Sequence, residues 1–213
     1  MTAASILLRA AGAAGAAALA LVLAAHPASA AGSDRANSCR HPVSGVNLNQ
    51  LFGVPEQLVA ACGGPTAGER WRPFLGYFGA EASDAVYPIG YVPSYPSPVD
   101  DALSKASVRV VTDGGTRQEK TYTFAPSAGD AFRADVTLHD INPANAHLPG
   151  FIVIPRMAPL SPGTHTYQVI WVQSARHCDG LSTVEDESCL PAGEYPQGLR
   201  SFQVFVPERG SAG

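Results

Sequence analysis

From residue 106 onward the chain is a succession of short segments with a period of two, each bounded by Gly, Pro or Asp turn signals, and no helical period intervenes. This pattern constrains the fold more than any other feature. Alternating apolar residues put one face of a strand in a core and the other in water. "ASVRVVTDGGTRQEKTYTF" (106–124) holds a β-branched run, an Asp113-Gly114-Gly115 turn signal, then Tyr122 and Phe124 alternating with Thr121 and Thr123, which reads as a hairpin. In "ADVTLHD", Val136 and Leu138 fall on one side and Asp135, Thr137 and His139 on the other. "GFIVIPRM" (150–157) is a continuous apolar run, as in a central strand, ended by Pro155. "LSPGTHTYQVIWVQSA" (160–175) places a Pro-Gly turn before the longest strand, where Tyr167, Val169 and Trp171 share a face. "LRSFQVFVPE" (199–208) aligns Phe202, Val204 and Val206. The expected fold class is all-β, an antiparallel sandwich with one short N-terminal helix and long loops.

"LSPGTHTYQVIWV" resembles the corner of immunoglobulin-like and fibronectin type III-like modules, where a Leu, a Pro-Gly turn and a Tyr precede a core strand. Leu160, Pro162, Gly163 and Tyr167 are the matching positions, with the Tyr about one residue later than in the commonest fibronectin spacing. The resemblance covers residues 106–208 at the level of fold. It implies an immunoglobulin-like sandwich and no particular activity.

The chain opens with one cation at Arg9, an apolar run from Ala10 to Ala25 and the small triplet Ala28-Ser29-Ala30. That is the layout of a secretory signal peptide cleaved after Ala30. The run is Ala-rich, falls short of the ~20 residues of a spanning helix and lacks a cationic stop, so a retained membrane anchor is not expected. Cys39 lies well past the cut, so lipidation is not expected, and "LPAGE" (190–194) lacks the hydrophobic tail of a wall-sorting signal. The expected product is a secreted, extracellular protein, and the Ala-rich leader fits a GC-rich bacterial genome. Residues 31–104 form an extension with a short helix at "VPEQLVAACGG", begun by Pro55 and stopped by Gly63, and a Pro/Tyr-rich segment packing on the sandwich. "GERWRPFLGYFGA" reads as an irregular strand against it. Residues 105–208 form the sandwich core, and residues 209–213 a disordered tail.

All four cysteines, Cys39, Cys62, Cys178 and Cys189, fall in the exported part, an even number in an oxidising compartment. Disulfides are expected, and four cysteines allow three pairings. Cys39 with Cys62 and Cys178 with Cys189 is favoured, since each pair brackets a segment able to turn back on itself.

Charge and motifs then restrict function. The formal net charge is −4 with no Lys/Arg cluster, so nucleic acid is not an expected partner, nor is a membrane after signal cleavage. The chain holds no G-x-S-x-G, H-E-x-x-H, P-loop or G-x-G-x-x-G motif. His139 and His147 stand eight apart across a Pro-containing loop, which matches no usual zinc spacing. His41 and His177 flank cysteines that disulfides claim first, and His165 reads as a capping or packing residue. No catalytic residue, metal or cofactor is assigned. Two candidate recognition elements remain. Tyr87, Tyr91 and Tyr95, spaced by four among helix-excluding prolines, would form a one-sided stripe in an extended chain, able to stack on carbohydrate or a protein partner. In a polyproline helix they would fan out, and packing onto the sandwich edge weighs more heavily for them. Asp179, Glu185, Asp186 and Glu187 would face water as an acidic recognition loop within "HCDGLSTVEDESC". The reading is a secreted, non-enzymatic β-sandwich that binds outside the cell or at its surface. A secreted hydrolase with a site assembled from distant residues and a structural envelope protein are the alternatives.

Overall fold

A computed structural model describes residues 39–206 except 42, 55–56, 59–62 and 127–131. The expected leader, Cys62 and the expected C-terminal tail lie outside the described residues. In chain order the elements are α1 (Leu48–Phe52), β1 (Gln57–Leu58), β2 (Trp71–Arg72), β3 (Leu75–Phe78), α2 (Pro98–Lys105), β4 (Ala106–Thr112), β5 (Lys120–Phe124), β6 (Phe132–Thr137) and α3 (Leu138–Ile141). They continue with β7 (Pro149–Ile154), β8 (Gly163–Gln173), β9 (His177–Cys178), α4 (Glu185–Ser188), β10 (Cys189–Leu190), β11 (Gly193–Pro196) and β12 (Arg200–Val204).

The structure is mostly β, and its main sheets are antiparallel. The expected hairpin forms: β4 pairs with β5 from Val108↔Phe124 to Thr112↔Lys120. The long strand β8 pairs with β4 along one edge and with β11 and β12, end to end, along the other. A second sheet has the order β3-β7-β6. Trp71, Tyr77 and Phe151 meet Val108, Val110, Tyr167, Val169, Trp171 and Phe202 in one core between the sheets. Tyr77 stacks on Trp171 at 5.8 Å, and Trp71 meets Phe202 at 5.0 Å. Burial of these rings is the main stabilising term.

The far face of the β3-β7-β6 sheet is covered as well. Leu48 and Phe52 of α1, Leu58, and Leu138 and Ile141 of α3 pack on Phe78, Ile152 and Ile154. Strand β7 is therefore buried on both faces, which accounts for its unbroken apolar sequence.

Several sequence expectations change. The described part of "VPEQLVAACGG" is strand rather than helix: Gln57–Leu58 runs parallel to Trp71–Arg72, and Leu58 is fully buried. The helix lies earlier, where Asn47 accepts from the Gln50 backbone N–H and Gly53 takes a left-handed φ of 67°. The "irregular strand" of residues 68–80 contains β3, hydrogen-bonded to β7 from Leu75↔Val153 to Phe78↔Gly150. Alternation through "ADVTLHD" stops at Thr137, whose hydroxyl caps α3 in a reciprocal box with Asp140. Val206 is 71% exposed, so the last strand's buried face ends at Val204.

Candidate functional site

At the α2 end of the β4–β8 pair, one carboxylate collects four polar groups from three segments, and a fourth segment joins through His177. Helix α2 places it. Ser97 caps the helix by accepting from Asp100 N, Pro98 occupies the first turn, and Asp101 follows four residues before Lys105. Pro98 thus starts a helix, against the expectation that the prolines of 85–101 exclude one. Asp101 Oδ1 accepts from Ser94 N at 2.6 Å, and Oδ2 accepts from Tyr91 Oη at 2.6 Å, Lys105 Nζ at 2.7 Å and His177 Nδ1 at 2.6 Å. On its other side His177 Nε2 accepts a short hydrogen bond from the Tyr77 hydroxyl.

This carboxylate–imidazole–hydroxyl series has the order of a hydrolytic triad, with tyrosine in the nucleophile's place. Its electrostatics describe a lock instead. Burial alone would raise the Asp101 pKa, but the hydrogen bonds from His177, Lys105, Tyr91 and Ser94 outweigh it and hold the carboxyl well below its usual range. Burial lowers His177, against the pull of Asp101, so the ring is neutral with its hydrogen on Nδ1. Burial, with Asp179 nearby, pushes Tyr77 well above the ordinary phenol value. Asp101, His177 and Tyr77 are 0%, 2% and 3% exposed, so no substrate reaches the series without opening the protein.

Tyr91 roofs the network. Lys105 Nζ and the Arg176 guanidinium stand 5.3 and 5.2 Å from its ring centroid. Tyr87 packs on Tyr91 at 5.3 Å, whereas Tyr95 is 49% exposed. The three tyrosines therefore form no common stripe. A turn closed by Tyr91 N donating to Pro88 O, with Gly90 at φ 83°, interrupts the extended chain the stripe required.

Cys178 and Cys189 form a disulfide, as the sequence favoured. They close β9 against β10, so His177 is carried into the network by a stapled segment. Cys39 is also disulfide-bonded, while Cys62 lies outside the described residues. Glu185, Asp186 and Glu187 occupy α4 and face water, but Asp179 departs from that reading. It is 2% exposed, accepts from Leu181 N at 2.9 Å, and burial pushes its pKa up to about 6. Its carboxylate is used inside the loop to hold the turn at Gly180. Glu185 pairs with Arg176 at 3.1 Å, linking the acidic helix to the Tyr91 roof.

Two further clusters were not evident in the sequence. His139 and His147 stack at 3.8 Å between centroids, although their spacing gave no sign of it. A third member that would make this pair a metal centre is lacking among the described residues. An open cleft of about 530 Å³ is lined by Glu81, Asp100, Asp135 and Asp140 with Arg133. Arg133 pairs with Asp135 at 2.9 Å, and hydrogen bonds from Thr137 hold Asp140 below its ordinary value. The Asp101–Lys105 spacing and the Ser97-Pro98 helix start were the readable signals of the main network; its link to Tyr77 spans 100 residues.

No protein-family model, curated protein or solved structure matches the chain.

Proposed function

We propose that this is an exported, immunoglobulin-like β-sandwich that works by binding outside the cytoplasm rather than by catalysis. One observation carries the reading: the Asp101–His177–Tyr77 series, which has triad order, is sealed in the interior and uses its hydrogen-bonding groups to fix surface loops at one end of the two sheets. Loops held on a rigid two-sheet frame are the usual recognition elements of such folds. The Leu160, Pro162-Gly163 and Tyr167 corner supports the immunoglobulin-like assignment, with Tyr167 4% exposed at the core. The leader supports export.

A secreted glycoside hydrolase is the second reading, favoured by the carboxylate-lined cleft. It ranks lower because Asp135 is committed to Arg133 and Asp140 is held low, opposite to what a general acid needs. Expression of the full chain in a secreting host, N-terminal sequencing of the product and assay on glycosides, esters and peptides tests both readings. The binding reading expects Ala31 at the N-terminus in the medium and no turnover. Turnover abolished by Glu81→Gln would overturn it, and recovery in the envelope fraction would favour a structural role.

A further inference from the structure

We infer that the face made by residues 85–95 and 181–187 docks a partner polypeptide presenting basic side chains around an apolar segment, an inference that rests on the binding reading above. Six of the nine large hydrophobic side chains exposed among the described residues lie on these two loops: Val86, Ile89, Val92, Tyr95, Leu181 and Val184. Ile89 and Val92 are 104% and 82% exposed. The loops are neighbours, because Val86 N donates to Gly180 O at 2.9 Å. At Gly180, where φ is 79°, a Cβ would stand 3.0 Å from Ala85 Cβ and from Pro98 Cγ, so only glycine permits this approach. Apolar side chains gathered in this way on a soluble frame mark an interaction surface.

The face is held from beneath. Tyr91 and His177 both end on Asp101, and the Cys178–Cys189 bridge closes the second loop. A pre-ordered face loses little conformational freedom when a partner arrives.

Charge selects the occupant. Glu185, Asp186 and Glu187 follow Val184 directly and are exposed, and the cation nearest them, Arg176, is already shared between Glu185 and the Tyr91 ring. The chain as a whole carries −4. A second copy or an anionic membrane would meet like charge at this rim, whereas lysines and arginines flanking an apolar segment meet the carboxylates of α4, which Arg176 ties to the Tyr91 ring of the apolar loop.

Panning of a random dodecapeptide phage library against the mature protein, followed by fluorescence anisotropy of the selected peptides, tests this. Selected sequences are expected to be rich in Lys, Arg and large apolar residues. Their affinity is expected to fall at least about ten-fold on Ile89→Ser/Val92→Ser. On the E185Q/D186N/E187Q variant, binding is expected to weaken and lose most of its salt dependence. The substituted side chains are exposed, so unchanged melting temperatures separate lost binding from lost folding. Acidic or neutral winners, or winners indifferent to both variants, would overturn the proposal. So would binding of phosphatidylglycerol vesicles in place of peptides, or self-association abolished by Ile89→Ser/Val92→Ser. Those outcomes leave the binding reading intact, since that reading fails on enzymatic turnover.

Discussion

Strands β4 and β8 carry a buried carboxylate–imidazole pair at each end, and the two pairs are built differently. At the hairpin end, Asp113 Oδ2 accepts from His165 Nδ1 at 2.8 Å and Oδ1 from Thr166 N at 3.0 Å, while His165 Nε2 faces the Ser161 carbonyl at 3.0 Å. At the α2 end, Asp101 accepts from His177, Lys105, Tyr91 and Ser94, and His177 faces a hydroxyl. The first pair joins residues of adjacent strands and one turn. The second gathers four segments, α2, the 85–95 loop, β9 and β3. The contrast teaches that a buried Asp–His pair is defined by what else touches it: one pins a turn, the other fixes a whole loop layer.

The largest expected effect that could break this contrast is Asp101→Asn, which leaves the Lys105 ammonium facing a neutral amide and removes the anion that orients His177. A loss of about 3–5 kcal/mol is expected in urea unfolding. Replacing Cys178 and Cys189 together by Ser should cost about 3 kcal/mol, from the loop-closure entropy of an eleven-residue separation. Hydrogen exchange should then rise at His177 before it rises in β8. Tyr77→Phe strands the His177 Nε2 acceptor and should cost about 1–3 kcal/mol.

Asp179→Asn runs the other way. Its carboxyl titrates near 6 when folded against an ordinary 3.8, so the folded state is penalised above about pH 6, and the penalty vanishes as pH falls below the ordinary value. The variant should gain about 1–2 kcal/mol at pH 7.5 and nothing at pH 3.5. The low pKa of buried His177 has the opposite dependence, with stability lost as pH falls below about 6.5, and in Asp179→Asn that loss becomes visible in melts across pH 4–7. Asp113→Asn should cost least, about 1 kcal/mol, because Asn keeps an acceptor for Thr166 N and tolerates the φ of 51°. If it costs as much as Asp101→Asn, the two ends are equivalent and the contrast fails.

The strands were legible because each carries its own pattern. The Asp113-Gly114-Gly115 turn, the doubly buried run at β7 and the Tyr167-Val169-Trp171 face all appear where alternation and turn chemistry put them. The eleven-residue disulfide was legible for the same local reason. Gln57–Leu58 was not legible as a strand because it exists only through Trp71–Arg72, a partner fourteen residues away. Asp179 was placed in water because a run of carboxylates implies hydration, and its burial depends on the fold of the loop around it. The Tyr stripe failed at a single turn, closed at Tyr91.

Composition and period by themselves determined a β-rich chain with a stapled loop, since side-chain alternation and cysteine spacing are properties of neighbouring residues. Only the tertiary structure decided that His177, Asp101 and Tyr77 form one sealed series, and that the loops above it expose Ile89 and Val92 beside an acidic rim. Those contacts join residues 76 and 100 positions apart. Burial, which sets both the protonation of the network and the exposure of the face, belongs to no residue until the sheets have packed.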